Sequence, residues 1–396
     1  MINEHYLEML GHKSVIRELA EYAAVRGKEI GKENVFDFSL GNPSVPAPES
    51  FTDAAIRLLQ TEEPVRLHGY SPTLGIPSVK EKIAASLNRR FGMNYTAGHI
   101  FPASGCAGAV AHALRVVTKP GDKVLVQAPF FPEYIPYIND TGAQIEIIPA
   151  RFEDFQINFE ALEQMLQPGV AAILINSPNN PSGVAYTGET LEKLSSLLAA
   201  KSKELGYNLF LISDEPYREI AFGGREIPYP ARFYPHTLTC YSFSKSLSVP
   251  GERIGYVAVC PECEHAEDIV PMCGQISRGI GHNCPSSLIQ LAAAEAVDDT
   301  ADLSVYETNM ELLYETFREL GFEVKKPDGT FYIMPKALEE DAVSFCRKAQ
   351  KYDLIFVPCD AFHAHGYFRV AYCIDTEKVR RSLPVIRRFV KEVYGG

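Results

Sequence analysis

The sequence predicts an α/β fold: a large domain on a mainly parallel sheet, then a smaller α+β domain. Three observations carry this. Short apolar runs rich in β-branched residues, at 123–127, 171–176 and 209–213, alternate with helical patterns between about residues 100 and 260. Such runs fit strands buried on both faces of a parallel sheet. Beyond about residue 285 the order changes to long helical patterns enclosing short strand signals. At 396 residues the chain has room for two or three domains and a sizeable core.

The elements follow in order. An N-terminal arm, 1–45, carries a helical pattern over 14–28 that is expected to pack on the small domain. The large domain is expected over 46–285. In it, the pattern 76–91 has Pro77 at its start, apolar Val79, Ile83, Leu87 and Phe91 at helical spacing, and Gly92 after its end. The pattern 187–205 opens on Thr187, a residue suited to cap a helix. The small domain, 286–396, is expected to hold helices over 286–297, 302–320, 339–352 and 376–393. Its strands are expected over 322–325, 331–334 and 367–373.

Composition excludes several classes. A net charge of −12, dispersed without long runs, argues against nucleic acid or an anionic membrane surface. No 18-residue apolar run exists, and the first residues lack a basic region followed by an apolar one, so neither a membrane span nor a secretory signal is expected. Nine cysteines without a framework read as reduced thiols of a cytoplasmic protein. Cys260 and Cys263 have metal-pair spacing but no second pair, and His363 and His365 are a weak metal pair, read as lying in a loop. No metal is expected.

The most informative stretch runs from Ser242 to Tyr256. Ser242, Ser244, Lys245 and Arg253 surround one turn, with Pro250-Gly251 between, flanked by two apolar strand-like runs. Hydroxyls and a guanidinium can hold a phosphate dianion, leaving the amine free to form a Schiff base with an aldehyde of the same molecule. Pyridoxal 5′-phosphate (PLP) carries both groups. Four more segments fall where strands end or helices begin, which is where open α/β sheets bind ligands. Ser104-Gly105-Cys106 opens a helix of small residues whose N–H groups can approach a phosphate. Phe131 follows a strand and could stack on a pyridine ring. Asn176 to Gly183 forms a rigid Asn-Pro turn that can present an amide. Asp214, with Tyr217 three residues on, closes the 209–213 run; a carboxylate at the ring nitrogen keeps the ring an electron sink.

With these motifs in this order, the chain resembles the class I/II aminotransferases, the aspartate-aminotransferase-like group of fold-type I PLP enzymes. The likeness runs from Gly41-Asn42-Pro43 through Tyr70 and Gly75 to Phe368-Arg369-Val370. It implies a PLP-transferase fold and a ping-pong transfer of an amino group from an L-amino acid to a 2-oxo acid through a Lys245 Schiff base. It implies catalytic roles for Lys245, Asp214 and Tyr217. It also implies cofactor contacts from Gly105, Cys106, Phe131, Asn180, Asp214, Tyr217, Ser242, Ser244, Lys245 and Arg253. Gly41, Asn180 and Arg369 would bind substrate, with Arg369 taking the α-carboxylate. A homodimer is implied, in which Tyr70 reaches the partner's phosphate.

Phe131 stands where the family often has tyrosine, Cys106 where a small or hydroxyl residue is usual, and Cys359 where a turn glycine is usual. Two other functions stay open: a β-eliminating C–S lyase on the same scaffold, and a non-catalytic ligand-binding regulator. The regulator is disfavoured because the chain opens almost directly on the N-terminal helix. For the substrate side chain, Arg17, Arg66, His68, Arg278 and His282 are candidates, with Arg278 foremost.

Overall fold

The structure is a computed structural model that describes residue 2 and residues 4–11 and 14–395. Its strands among the described residues are β1 (Phe36–Asp37), β2 (Ile100–Ala103), β3 (Lys123–Gln127), β4 (Gln144–Ile148), β5 (Val170–Asn176), β6 (Phe210–Asp214), β7 (Thr237–Ser242), β8 (Gly255–Val259), β9 (Tyr332–Ile333), β10 (Leu354–Ile355), β11 (Val357–Pro358) and β12 (Phe368–Ala371). Seven form the central sheet, in the order β2-β8-β7-β6-β5-β3-β4. Only β8 runs against its neighbours; the remaining pairs are parallel.

Alternation along these strands decides which helix covers which face. Val124, Val126, Ala172 and Leu174 point into one cluster with Ala109, Ala113 and Leu114 of the helix Gly105–Val117. Leu125, Ile173, Ile175 and Leu211 point the other way, onto Leu191, Leu194 and Leu198 of the helix Gly188–Leu205. That helix is capped as the sequence predicts, Thr187 Oγ1 accepting from the Thr190 N–H. The helix Pro77–Phe91 ends on Gly92 in the left-handed conformation.

A second cluster lies around β9, β11 and β12. The helix Ser304–Glu319 supplies Tyr306, Met310, Leu313 and Phe317, which meet Phe345, Phe368 and Phe389. The N-terminal arm joins this unit. β1 pairs in parallel with β10, and Val15, Ile16 and Leu19 of the helix Val15–Ile30 pack on Val357 and Phe362.

Two sequence expectations change. The segment 322–325 is not a strand. Phe322 drives into Phe317, Phe345 and Phe368, with ring centroids 5.1, 5.9 and 5.8 Å away. The apolar signal there reflects one buried ring rather than a ladder. The helix Ser287–Glu295 was expected to open the small domain. Instead Ala292, Ala293 and Ala294 share a cluster with Leu58 and Val79 of the large unit, and Gln290 Oε1 accepts from the Ile76 N–H. We propose that the boundary lies after this helix, near residue 300.

A buried ionic network sits beneath the strand ends. Arg218 donates to Glu215 at 3.0 Å and Glu219 at 3.3 Å, and its guanidinium lies 4.3 Å from the Tyr241 ring centroid. Burial pushes the Glu215 carboxyl up; Arg218 opposes that. Removing the cation strands the buried Glu215 carboxylate, while Glu219 keeps its pairing with Arg90, so Arg218→Met should cost about 3–5 kcal/mol, measurable by denaturant unfolding at neutral pH.

Candidate active site

A cavity of about 400 Å³ opens at the carboxyl ends of β5, β6 and β7, within the size range of small-molecule sites. The parallel register builds its floor. Asn176 pairs with Asp214, and Asp214 with Cys240, across the three strands. Asn176 donates from Nδ2 to the Asp214 carbonyl at 2.9 Å and accepts at Oδ1 from the Asn180 N–H at 2.7 Å. One strand-end amide thus fixes both the Asp214 backbone and the start of the Asn180 turn.

Lys245 stands on the short helix Phe243–Ser246, which follows β7 directly. Ser242 caps it, its Oγ accepting from the Ser244 N–H at 3.1 Å. Lys245 Nζ donates to the Gly41 carbonyl at 2.7 Å and lies 5.3 Å from the Phe331 ring centroid. Burial, with smaller contributions from Arg253 and Arg369, pulls the amine down to about 8. Gly41 admits no side chain: a Cβ there would stand 1.8 Å from the Tyr332 hydroxyl.

One wall is rich in donors. Gly105 opens the helix Gly105–Val117 at φ +69°, and a Cβ on it would meet the Arg253 guanidinium at 2.6 Å. The preceding Ser104 makes no side-chain cap, so the first N–H groups of that helix face the cavity without a side-chain acceptor. Among the described residues Arg253 donates only to the carbonyls of Pro250, at 3.1 Å, and Ser104, at 3.4 Å. The Ser242 and Ser244 hydroxyls lie 2.7 Å apart beside it.

On the opposite side Arg369, 1% exposed, donates to Asn180 Oδ1 at 3.1 Å and the Ser39 carbonyl at 2.5 Å. Its Nε has no partner among the described residues. Tyr332 and Phe362 flank the guanidinium, with centroids at 4.5 and 5.1 Å. Tyr217 meets the Tyr332 hydroxyl at 3.3 Å. Phe131 lines the cavity edge-on to Tyr134, with centroids 5.9 Å apart.

Asp214 projects from the end of β6. Cys106 Sγ donates to its Oδ1 at 2.6 Å, and the Tyr134 hydroxyl donates to its Oδ2. Desolvation raises this carboxyl to about 6, and the two donors oppose the rise. The Cys106 side chain therefore serves Asp214; only its amide faces the donor-rich wall.

Of the residues that the sequence singles out, Gly41, Cys106, Phe131, Asn180, Asp214, Tyr217, Ser242, Ser244, Lys245, Arg253 and Arg369 line this one cavity, as does Arg17. Gly105 lies against Arg253 at its wall. Tyr70 does not line it: fully exposed, it belongs to a separate hollow with His68. Arg66, Arg278 and His282 do not line it either. Arg66 is paired loosely with Glu62 at 3.9 Å, Arg278 is exposed on the helix Ala266–Ile280, and His282 lies 5.7 Å from the His112 ring. The turn at Cys359 needs no glycine, since its φ is −94°. Cys260 and Cys263 donate to carbonyls, and no metal-ligand group occurs among the described residues. Tyr134 and Tyr332 were missed. Tyr134 stands one helical turn beyond Phe131, a spacing that could have found it.

The comparisons agree with this geometry. A profile of the family described as aminotransferase class I and II matches residues 33–386. The chain belongs to the class I and II aminotransferases. It is 28% identical to a probable aspartate/prephenate aminotransferase of Aquifex aeolicus, covering 91% of this chain and 92% of that one. It is 29% identical to the aspartate aminotransferase of Thermotoga maritima, covering 90% and 92%. Among solved structures, an aminotransferase from Eubacterium rectale superposes with a TM-score of 0.96 at 41% identity, covering 99% of each chain. The Thermus thermophilus aspartate aminotransferase with maleate gives 0.84 at 25%, covering 95% and 97%. The chain is a transaminase on an α/β scaffold of fold type I.

Holding Lys245 below its ordinary value makes charging it inside the fold costly. The unfolded chain then binds more protons between about pH 8 and the ordinary lysine value, so wild-type stability should rise with pH through that window. Lys245→Met should accordingly unfold at a higher temperature than the wild type at pH 7 without cofactor. The gap should shrink towards pH 10, as read by thermal unfolding of both proteins across the range.

Proposed function

We propose that the cavity holds PLP and that the chain uses it to move an amino group between an L-amino acid and a 2-oxo acid. The observation that carries this reading is the charge pattern of the cavity. Three cations, Lys245, Arg253 and Arg369, face it with carbonyl or amide partners in place of carboxylates, and Arg369 keeps an unpartnered Nε. Such a set fits a ligand with a phosphate at one end and a carboxylate at the other. The bare helix N-terminus at Gly105, the Ser242 and Ser244 hydroxyls and Arg253 would hold the phosphate. Phe131 would cover the ring, Asp214 would face its nitrogen, and Asn180 with Tyr217 would face its phenolic oxygen.

When bound, PLP supplies an aldehyde carbon for an amine and a ring that draws electrons from the reacting carbon. The chain's own groups do the rest. Arg369 holds the substrate α-carboxylate through paired N–H donors and so fixes the Cα hydrogen relative to Lys245. Nζ of Lys245, lowered to about 8, is partly uncharged at neutral pH and takes that proton. The Gly41 carbonyl, as its acceptor, orients the amine. Phe331, Tyr332 and Phe362 exclude water around both cations. Release of the first 2-oxo acid and entry of the second complete a ping-pong cycle.

The full exposure of Tyr70 supports a homodimer in which it serves the partner's site. A cytoplasmic location is proposed from the free thiols; no helix among the described residues is long and apolar enough to cross a membrane.

The first test is the absorbance spectrum with PLP, before and after adding single amino acids without any oxo acid. Stoichiometric bleaching with release of the matching oxo acid supports transamination. Steady accumulation of pyruvate and ammonia from cysteine or cystathionine would establish a lyase instead. Lys245→Ala should abolish turnover with the fold retained. Arg369→Lys should raise KM for the amino acid about 10- to 100-fold, the worth of a charge-assisted contact.

Several relatives are named for aspartate, and Arg17 is the remaining cation at the cavity. Arg17→Ala should cut the ratio of kcat/KM for aspartate over alanine by about tenfold, whereas the reading that Arg278 recognises the side chain requires that loss from Arg278→Ala.

A further inference from the structure

Asp214 stands at the floor of a cavity that also gathers Arg17, Lys245, Arg253 and Arg369 and, beside Phe131, Glu133. Neither carboxylate oxygen of Asp214 is free: the Cys106 thiol donates to Oδ1 at 2.6 Å and the Tyr134 hydroxyl to Oδ2. Both donors come from helices packed over the strand ends, Cys106 from Gly105–Val117 and Tyr134 from Tyr134–Asn139. We propose that Cys106 and Tyr134 are paired positioning residues that keep Asp214 ionised and aimed into the site. This rests on the assignment of Asp214 as partner of the ring nitrogen.

The physical need is plain. A buried carboxyl without help takes up a proton, because the low dielectric penalises its charge. A protonated Asp214 could not hold a ring N–H in its charged form. A cationic partner would keep it ionised but would also neutralise the field that the ring nitrogen is meant to feel. Neutral donors avoid that conflict: they stabilise the charge through dipoles and leave it in place. Each carboxylate oxygen has two lone-pair positions, so one donor apiece leaves an acceptor site on each for a ligand.

The donors have to remain protonated for this to work. Burial and the neighbouring Asp214 push both the Cys106 thiol and the Tyr134 phenol well up, so each is a donor throughout the neutral range. The other titratable groups around Asp214 are the Cys240 thiol on β7, the Tyr137 phenol and the Tyr217 phenol. All three are likewise pushed up, so each stays neutral and none adds a charge beside Asp214. Glu215, next in the chain, faces Arg218 instead. The Cys240 carbonyl lies 3.2 Å from Cys106 Sγ, farther than Asp214 Oδ1 at 2.6 Å, so the single thiol proton goes to the carboxylate.

The test reads Asp214 itself, in cofactor-free protein, so that it does not depend on the assignment it rests on. Carbon-13 NMR of carboxyl-labelled aspartate, with the signal identified by its loss in Asp214→Asn, gives the titration midpoint. It is measured in the wild type, Cys106→Ala, Cys106→Ser and Tyr134→Phe. The midpoint should rise by about one pH unit in Cys106→Ala and in Tyr134→Phe, the order expected for losing one hydrogen bond to a charge. Cys106→Ser, which restores a donor, should return most of the shift. Midpoints unchanged in both Cys106→Ala and Tyr134→Phe would overturn the proposal, as would a rise in Cys106→Ala that serine does not reverse. If Cys106→Ala fails to fold, Cys106→Ser and Tyr134→Phe decide it: a wild-type midpoint in serine with a raised one in phenylalanine supports the pairing, and any other combination refutes it. Failure of the underlying assignment shows separately, as an Asp214→Asn protein whose PLP absorbance and transaminase turnover match the wild type.

Discussion

Asn176, Asp214 and Cys240 stand level across three parallel strands, and the site depends on that register. In a parallel ladder a slip of one residue turns every side chain to the opposite face. Here it would send Asp214 into the cluster beneath the sheet and bring Glu215 or Ser213 to the cavity. The register is held by what each side chain does next. Asn176 binds the Asp214 carbonyl and the Asn180 amide, and Glu215 is anchored on the other face by Arg218. Adjacent carboxyls at the end of one strand are thereby given different work: Asp214 faces neutral donors and the cavity, Glu215 a buried cation. Alternation of the strand separates them, and the environments do the rest.

The same burial that makes the site useful makes it expensive. Lys245 is held below its ordinary value and Asp214 above it, both chiefly by desolvation. Each would be more comfortable in water. A folded protein tolerates this because the surrounding clusters are large and nearly dry, with Leu174, Ile212, Leu238 and Val257 fully buried around the strand ends. Strained electrostatics of this kind concentrate where chemistry is done, and here they coincide with the one cavity that gathers nearly every residue the motifs single out.

Much of this was legible in the sequence, for a physical reason. Strand-end turns must use Gly, Pro, Asn, Ser and Asp, so the segments that carry Gly105, Asn180, Asp214 and Lys245 announce themselves by composition and by position after an apolar run. The central strands were legible because they are buried on both faces. What the sequence left unresolved concerns direction and partnership. A residue at a helix start presents its amide and its side chain to different places, so Cys106 could be placed near a phosphate without revealing that its thiol turns to Asp214. Tyr134 reads as another core aromatic until Asp214 is set opposite it. The helix 287–295 is apolar nearly all round, which marks it as buried but not which cluster covers it. Phe322 mimics a strand because a single deeply buried ring and a strand raise local hydrophobicity alike.

The two hydrophobic units meet at the site, and the charges there explain how they are coupled. Lys245 and Arg253 belong to the large unit, Arg369 to the small one, and Gly41 to the arm that pairs with it. The hydrogen bond from Lys245 to Gly41 and that from the Phe130 N–H to the Phe362 carbonyl span the junction. So does the backbone contact between Ala301 and Ser246, at 2.7 Å. Against these, three like charges converge on one cavity, and Arg253 and Arg369 both help to lower Lys245. An anion placed among them removes that repulsion and bridges the units at once. Any ligand that binds only the folded chain stabilises it by an amount that grows with the logarithm of one plus the ratio of its free concentration to its Kd. A dianion and a carboxylate bound among these cations would therefore each add to the stability of the fold at the junction.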